Sequence, residues 1–211
     1  AVAFYMGTQR AINLRLVSKK QQGNDGYEFM FDTQKFDYLP GQYIEVTVPH
    51  KRADFRGIRR VFSIIGVPGS GQLSFATRFP EKHSSYKSAL LGLSAGAKLN
   101  AVRVAGDFTL PQATDIPIVC IAGGIGITPF VSFAMNAGKH DITILYAPSS
   151  VDDIAFAKEL SQYDVNVVIV SPNDVNLPEG WGHEKGRIDD DLLKKYVSVD
   201  TEVFVSGPPT M

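Results

Sequence analysis

The pattern of apolar and polar residues divides the chain into two parts. In residues 9–110, short alternating or β-rich runs recur between turns that contain glycine or proline. Strands are predicted at residues 11–17, 27–31, 43–48, 60–65, 73–77 and 99–104. One helix, residues 85–91, interrupts these strands. Short strands at this spacing are typical of an antiparallel β-barrel or sandwich.

A different pattern follows the turn at residues 111–115. Residues 116–122 form a continuous apolar run, as expected of a strand that is buried on both faces. Further strands are predicted at residues 142–146, 165–170 and 203–206, and helices at residues 129–137, 151–160 and 189–196. This alternation indicates βαβ units and a parallel, Rossmann-like sheet. We therefore expect two domains, a β-barrel at residues 8–112 and an α/β domain at residues 113–211.

Composition adds mainly exclusions. The 211 residues carry a net charge of −1, with 44% hydrophobic and 20% charged residues, so the chain has no overall field that would attract nucleic acid or a membrane surface. Its single cysteine, Cys120, excludes an internal disulfide and a four-cysteine cluster, and no metal site is expected. Because no apolar run approaches the ~20 residues of a membrane span, we expect a cytoplasmic protein or the cytoplasmic part of a membrane-associated one.

A glycine-rich segment joins the first apolar strand of the second half to its first helix. Gly123, Gly124 and Gly126 would let the backbone approach a phosphate, which the free N–H groups and the helix dipole would stabilise. Thr128 is expected to cap the helix, and Pro129 suits its first turn. A tight turn without a ligand is the alternative. No glycine lies three residues after Gly126, so the usual dinucleotide fingerprint is absent.

Six motifs occur in one order along the chain. They are Pro-Gly-Gln-Tyr at 40–43, Arg-x-Phe-Ser at 60–63, Ser-Ser-Tyr-Lys at 84–87, Gly-Asp-Phe-Thr-Leu-Pro at 106–111, Gly-Gly-x-Gly-x-Thr-Pro at 123–129 and Ser-Gly-Pro-Pro-x-Met at 206–211. With these motifs the sequence resembles the ferredoxin–NADP reductase superfamily, which joins a flavin-binding barrel to a nicotinamide-binding α/β domain. Relatives continue beyond the last motif, so the resemblance implies a second domain that is truncated at its C-terminus.

The resemblance implies that the first domain binds FAD, with FMN less favoured. Arg60 would neutralise the flavin pyrophosphate, and Phe62 would lie against the isoalloxazine ring. Ser63 would support the flavin N5, although strand alternation places it opposite Arg60 and Phe62, so that a local kink or bulge would be needed. A solvated Arg60 and a Phe62 packed in the core are the alternatives.

The same resemblance places the flavin pyrophosphate at the start of the first helix. Ser84, Ser85 and Lys87 would contribute hydroxyl groups and an ammonium there, whereas a plain N-cap at Ser84 is the alternative. Arg78, after the fifth strand, is a further flavin candidate.

In the second domain, the resemblance implies that the nicotinamide lies between Thr128 and the segment Ser206-Gly207-Pro208. Many relatives carry cysteine at the position of Ser206. The residues expected to take part in the reaction are therefore Ser63, Thr128 and Ser206. The dinucleotide would also contact the glycine turn with Pro129, and Tyr146 and Ser149 after the next strand.

The choice between NADH and NADPH depends on the residues after the second parallel strand. Residues 146–150 contain no arginine, and Asp152 and Asp153 follow. A 2′-phosphate requires a basic partner, so NADH is favoured, with Ser149 and Ser150 as remaining phosphate-binding candidates.

The activity implied is hydride transfer from NAD(P)H to FAD, followed by electron transfer to a separate acceptor protein or a fused redox or membrane module. Two alternatives are a flavin-binding redox sensor or regulatory subunit with little turnover, and a nucleotide-binding module without flavin. Phe4 and Tyr5 could belong to the stub of an upstream module or to a frayed terminus. Residues 51–60 form the one dense basic stretch, which is either a solvated loop or a docking site for an acidic electron carrier; nucleic acid is not an expected partner.

Overall fold

The computed structural model describes residues 11–174, 176–209 and 211, apart from the side chains of Arg103 and Val151. Residues 8–10 of the expected first domain, and the candidate stub with Phe4 and Tyr5, lie outside this range. The first part contains strands Ile12–Gln22 (β1), Gly26–Thr33 (β2), Tyr43–Thr47 (β3), Arg59–Ser63 (β4), Gln72–Arg78 (β5) and Lys98–Ala105 (β6), and helix Ser85–Leu91 (α1).

The second part contains strands Ile118–Gly123 (β7), Ile142–Ala147 (β8), Asn166–Ser171 (β9), Gly182–Lys185 (β10) and Glu202–Ser206 (β11). Its helices are Thr128–Met135 (α2), Ala157–Leu160 (α3) and Asp190–Tyr196 (α4), with 3₁₀ turns at Gly124–Ile127 and Val151–Asp153.

The first six strands form one antiparallel sheet in the order β4-β3-β6-β1-β2-β5. In β1, the buried residues Ile12, Leu14 and Leu16 alternate with exposed ones, which places one face of the sheet in a core. The sheet curls until its two edges meet, where Ile65 and Ser74 form an isolated bridge. Among the described residues no continuous ladder joins β4 to β5, so the sheet is barrel-like but not closed.

The last five strands form a parallel sheet in the order β10-β9-β8-β7-β11. All six residues of β7 are buried, as the apolar run predicts for a central strand between two layers. Helix α2 packs on one face, and Leu192 of α4 packs on the other with Val119 and Val168. The predicted order, an antiparallel barrel-like domain followed by a Rossmann-like α/β domain, is thus confirmed.

Two local predictions for the second half are wrong. The helix predicted at residues 151–160 is broken at Phe156, whose φ is 61°. The amides of Ala155 and Phe156 donate instead to Tyr146 Oη at 3.2 Å and to Gln22 Oε1 at 3.0 Å, so side chains of other elements replace the helical partners. Strand β10 escapes prediction because its sequence, Gly-His-Glu-Lys, is polar; it is a short edge strand that pairs with β9.

The two sheets are in direct contact. Asn136 Nδ2 of the second half donates to the carbonyl of Gly66 in the first at 2.9 Å. At Gly41, whose φ is 94°, an added Cβ would meet the carbonyl of Phe108 and the ring of Phe133, so a glycine permits close packing there. The boundary near residue 113 remains a prediction. None of the described helices is long and apolar enough to cross a membrane.

Candidate functional site

A cavity of about 620 Å³ lies between the two sheets, within the range of ~300–1,000 Å³ that is usual for small-molecule sites. From the first half it is lined by Val61, Phe62, Ser63, Ala76, Thr77 and Arg78. From the second half it is lined by Gly123, Gly124, Ile125, Gly126, Thr128, Ala147, Ser149, Ser206, Gly207, Pro208 and Met211. The fold therefore brings the candidate flavin motif and both candidate nicotinamide motifs to one cavity.

The glycine turn packs tightly against the segment that follows β11. A Cβ added to Gly126 would meet the carbonyl of Ser206 and would lie 2.8 Å from the Cα of Gly207. A Cβ on Gly123 would lie 2.9 Å from Pro208 Cδ. These positions require glycine because the two segments that form the cavity wall lie against each other, which explains both motifs physically.

The start of α2 differs from the prediction at one position. A 3₁₀ turn, Gly124–Ile127, precedes the helix, which begins at Thr128, and no side chain caps it. Thr128 is therefore buried at the cavity wall rather than serving as a cap. Pro129 occupies the first turn as predicted, but it is buried and is not part of the cavity lining. We therefore assign Pro129 to helix initiation and not to ligand contact.

Strand β4 presents alternate residues to the cavity and to the barrel core. The ring of Phe62 stacks on Phe75, with a centroid distance of 4.2 Å and an interplanar angle of 12°. The ring of Phe62 thus packs mainly in the core, as the alternative interpretation expected, although the residue still contributes to the cavity lining. Val61, 55% exposed, lines the cavity together with Ser63. Ser63 consequently reaches the cavity by simple strand alternation, without the expected kink or bulge.

Arg78 joins the two halves at the cavity. Its Nε donates to Asp25 Oδ1 at 2.7 Å, and its Nη1 donates to Ser149 Oγ at 3.1 Å. Ser149 in turn faces Gly124, since a Cβ on that glycine would lie 3.6 Å from its hydroxyl oxygen. A guanidinium from the first half therefore lies beside the glycine turn of the second.

The candidate pyrophosphate residues lie outside the cavity lining, around α1 and the start of β4. Ser84 Oγ accepts from the Lys87 amide at 3.3 Å, so the N-cap alternative for Ser84 describes the structure. Ser85 Oγ is 3.1 Å from His50 Nε2. Lys87 Nζ donates to the carbonyl of Arg78 at 2.7 Å, which places its ammonium next to the end of β5 that reaches the cavity.

Positive charge accumulates around Lys87. Burial lowers the pKa of its ammonium, and the like charges of Arg56 and Arg78 lower it further, while Asp25 acts in the opposite direction. The like charges of Arg56 and Arg78 thus repel the Lys87 ammonium, although each arginine is also paired with an aspartate, Asp54 and Asp25 respectively. A diphosphate would relieve this repulsion, so the residues present fit the phosphate part of FAD.

Arg60 is engaged elsewhere. Its Nη2 donates to both carboxylate oxygens of Asp54, at 2.8 and 2.9 Å. Its guanidinium also lies 4.9 Å from the centre of the Tyr86 ring. The solvated alternative for Arg60 is not what the structure has, because the side chain is only 16% exposed.

Tyr146 does not lie where the sequence predicts. It is fully buried, and its hydroxyl donates to the Asp153 carbonyl at 3.3 Å and accepts from the Ala155 amide. A direct contact with a nucleotide is therefore not available to it. Strand alternation near the end of β8 points its ring into the core, and the sequence alone does not show which face of the sheet this is.

Comparisons with known proteins agree with this arrangement. A family model described as the oxidoreductase NAD-binding domain matches residues 120–211. Flavohemoprotein A of Dictyostelium discoideum is 27% identical over 188 residues, which are 81% of this chain and 46% of that protein. The ferredoxin reductase of carbazole 1,9a-dioxygenase superposes with a TM-score of 0.76, at 16% identity, over 95% of this chain and 62% of that one.

Residues 120–211 therefore resemble an oxidoreductase NAD-binding domain, and the whole chain has the fold of the ferredoxin reductases and flavohemoglobins on which it superposes. The flavohemoglobin of Malassezia yamatoensis with bound FAD and heme superposes with a TM-score of 0.72 at 20% identity, over 95% of this chain and 54% of that one. The chain spans about half the length of the curated relatives that it matches, 46% and 45% in two flavohemoproteins.

Several residues at this candidate site are not identified by sequence reasoning. Val61 and Thr77 line the cavity, and Asp25 and Asp54 hold the two arginines. Alternation along β4 would have indicated Val61, which shares a face with Ser63, whereas Thr77 lies on the opposite side of β5 from Arg78 and has no such signal. No local signal identifies the aspartates. Asp25 is in the turn between β1 and β2, far in sequence from Arg78. Asp54 precedes Arg60 by only six residues but is in a loop without a motif.

Proposed function

We propose that this chain binds FAD at its first domain and a nicotinamide dinucleotide at its second, and that it acts as an NAD(P)H-dependent flavin reductase. The observation that carries this proposal is the single cavity to which Ser63, the glycine turn and Ser206 all contribute. A flavin and a nicotinamide that exchange a hydride must be in contact. The two sets of motifs meet at a place where such a contact is possible.

FAD, when bound, would supply the redox chemistry, a two-electron transfer from the reduced nicotinamide, and the chain would supply binding and orientation. The hydroxyl of Ser63 would donate a hydrogen bond at the cavity wall formed by β4. Thr128 and Ser206 approach the cavity from the parallel sheet and would fix the nicotinamide between them. The apolar side chains of Val61 and Ile125 would limit the access of water.

FAD is favoured over FMN because of the charges beyond the cavity. Lys87, Arg56 and Arg78 form the cationic cluster described above, close to the end of β5 that lines the cavity. A flavin whose ring occupies the cavity would extend its phosphates toward this cluster. A diphosphate, with its larger charge, gains more there than the single phosphate of FMN.

NADH remains the favoured nucleotide. The segment after β8 contributes Ser149 but no basic residue, and the following Asp152 and Asp153 would repel a 2′-phosphate. Arg78, which reaches Ser149 from the first domain, is the one cationic residue among the described residues that line the cavity, and its ion pair with Asp25 offsets its charge.

The electron acceptor would be a separate protein or a domain fused to this one. Similar chains are named as flavohemoproteins and as the ferredoxin reductase of a dioxygenase, in which the partners are a heme domain or an oxygenase system. The acceptor of this chain is unidentified.

Steady-state oxidation of nucleotide by the FAD-loaded chain, with ferricyanide as acceptor, tests the proposal. The expected result is turnover with both nucleotides and a higher kcat/KM for NADH. A higher kcat/KM for NADPH would overturn the nucleotide preference alone. Failure to retain FAD under any condition would overturn the assignment of the first domain.

A further inference from the structure

Both terminal nitrogens of the Arg60 guanidinium are held by the loop between β3 and β4, residues 48–58, and by the first residue of β4. Nη1 donates to the loop carbonyls of Arg56 at 3.2 Å and Gly57 at 3.0 Å, and to the carbonyl of Arg59, the first residue of β4, at 2.6 Å. Nη2 donates to both oxygens of Asp54. A guanidinium can hold a phosphate by two parallel bonds along either of two edges, and both edges include Nη2. A phosphate therefore cannot bind Arg60 in this way while Asp54 is in place.

Asp54 has a second partner that it can keep. Its Oδ2 lies 3.0 Å from Arg56 Nη2, and its Oδ1 accepts from the Arg56 amide at 2.9 Å. Burial tends to raise the pKa of the Asp54 carboxyl, but hydrogen bonds from Arg56 and Arg60 outweigh it and lower the pKa, so the group stays ionised. If Arg60 moved away, the Asp54 carboxylate and the Arg56 guanidinium would therefore still be paired with each other.

The loop also lacks packing that would resist a movement. Phe55, next to Asp54, is 98% exposed, and a Cβ added to Gly57 would meet no atom within 4 Å. The loop is closed mainly by hydrogen bonds, such as that from the Gly57 amide to the Asp54 carbonyl at 2.8 Å. Little apolar contact would be lost if Asp54 moved away from Arg60.

From this geometry we propose that Asp54 is a positioning residue that holds Arg60 in the flavin-free chain and releases it to the diphosphate of FAD, keeping Arg56 as its own partner. The inference rests on the proposed function and goes beyond it, because it makes Asp54 an internal competitor that sets the affinity for FAD. Entry of the diphosphate and release of the carboxylate are then one exchange of anions on Arg60.

The test measures the dissociation constants of FAD and riboflavin for the full flavin-free chain, from the quenching of flavin fluorescence. The variants are Asp54→Asn and Asp54→Glu. The control is Asp191→Asn, which removes the same charge from an exposed pair with Lys194. Thermal unfolding of each variant reports whether it is folded.

We expect Asp54→Asn to bind FAD at least about fivefold more tightly than the wild type and Asp191→Asn, since a charged competitor for Arg60 is lost. Riboflavin, which has no phosphate, should bind all variants equally, and Asp54→Glu should resemble the wild type. If the wild type binds FAD and Asp54→Asn binds it equally tightly or more weakly, the proposed exchange of anions on Arg60 is wrong, while the proposed function stands. If no variant binds FAD, the proposed function fails as well.

Discussion

At the scale of single residues, Lys87 provides the clearest electrostatic signature of the site. Its ammonium is half-buried, and its only hydrogen-bond acceptor among the described residues is the Arg78 carbonyl. Burial lowers the pKa of Lys87 below the ordinary value of 10.5, and Arg56 and Arg78 add to this effect. A bound diphosphate would reverse the shift, because an anion favours the protonated amine.

The binding of FAD should therefore be linked to the uptake of a proton by Lys87. The pKa of Lys87 should be lower in the free chain than in the complex with FAD. The affinity for FAD is then greatest at a pH below the pKa of the free chain. It falls as the pH rises from that pKa to the pKa in the complex. We expect the dissociation constant of FAD to increase in this alkaline range. Binding of FAD by Lys87→Gln should be weaker at neutral pH and should lose this pH dependence. The control, Lys82→Gln, changes an exposed lysine and should keep it.

Tyr146 distinguishes a structural from a ligand-binding role at the same scale. Its hydroxyl is bonded to two backbone groups of the segment that replaces the predicted helix. Tyr146→Phe would leave the Ala155 amide without its acceptor, which should lower the free energy of unfolding by about 1–2 kcal/mol. Urea denaturation measures this change. The KM of Tyr146→Phe for NADH should stay within about twofold of the wild-type value. A larger rise would indicate that Tyr146 takes part in binding the nucleotide.

The sequence indicates which residues line the cavity better where a motif fixes the backbone than where the orientation of a strand decides. The positions of Gly123, Gly126 and Ser206 follow from a strand that ends in a turn, and these residues do line the cavity. By contrast, Phe62 and Tyr146 are near motifs but point largely into cores. Neighbouring residues of a strand point to opposite faces of the sheet, so one faces the core and the next faces the cavity. A single sequence does not specify which face is which.

At the scale of elements, the contact between the glycine turn and the segment after β11 forms one wall of the cavity. Gly126→Ala would push this wall apart, because the added Cβ would meet the Ser206 carbonyl and the Gly207 backbone. We expect the KM for NADH to rise by about tenfold or more, which corresponds to a loss of roughly 1.4 kcal/mol of binding.

The dissociation constant of FAD should not change in Gly126→Ala, since the barrel is untouched. The matched control is Gly182→Ala in β10 of the same sheet, where the nearest atom to the added Cβ is a side-chain methyl of Val168 at 3.3 Å. Equal effects of the two alanines on KM would mean that the turn does not hold the nucleotide.

The ends of helices are predicted well where nearby residues determine them and poorly where distant residues do. Helix α4 begins where the sequence predicts, because the Asp189 side chain accepts a hydrogen bond from the Leu192 amide. Lys194 and Lys195 in its last turn interact favourably with the helix dipole. The helix predicted at residues 151–160 fails because Gln22, on β1 of the other domain, takes the Phe156 amide. A partner that is more than a hundred residues away leaves no pattern in the local sequence.

At the scale of the whole molecule, the hydrogen bond from Arg78 to Ser149 links the two domains across the cavity. The guanidinium is also the one cationic group among the described residues that line the cavity beside the glycine turn, and it would attract the phosphates of the dinucleotide. We expect Arg78→Gln to raise the KM for NADH by about five- to tenfold, which steady-state assays measure.

Two variants separate the charge of Arg78 from its link between the domains. Ser149→Ala removes the interdomain hydrogen bond but keeps the charge, and its KM should change by no more than about threefold. Arg15→Gln, in an exposed ion pair with Asp32, should have no effect. A larger effect of Ser149→Ala than of Arg78→Gln would contradict the role of the charge.

The juxtaposition of two domains at one cavity is the central structural fact, and the sequence predicts the motifs but not their distance. The most direct test is anaerobic addition of NADH to the FAD-loaded chain while the visible flavin band is followed. The account predicts that the band is bleached by NADH, and faster than by an equal concentration of NADPH. A bound flavin that neither nucleotide bleaches would contradict hydride transfer across the cavity.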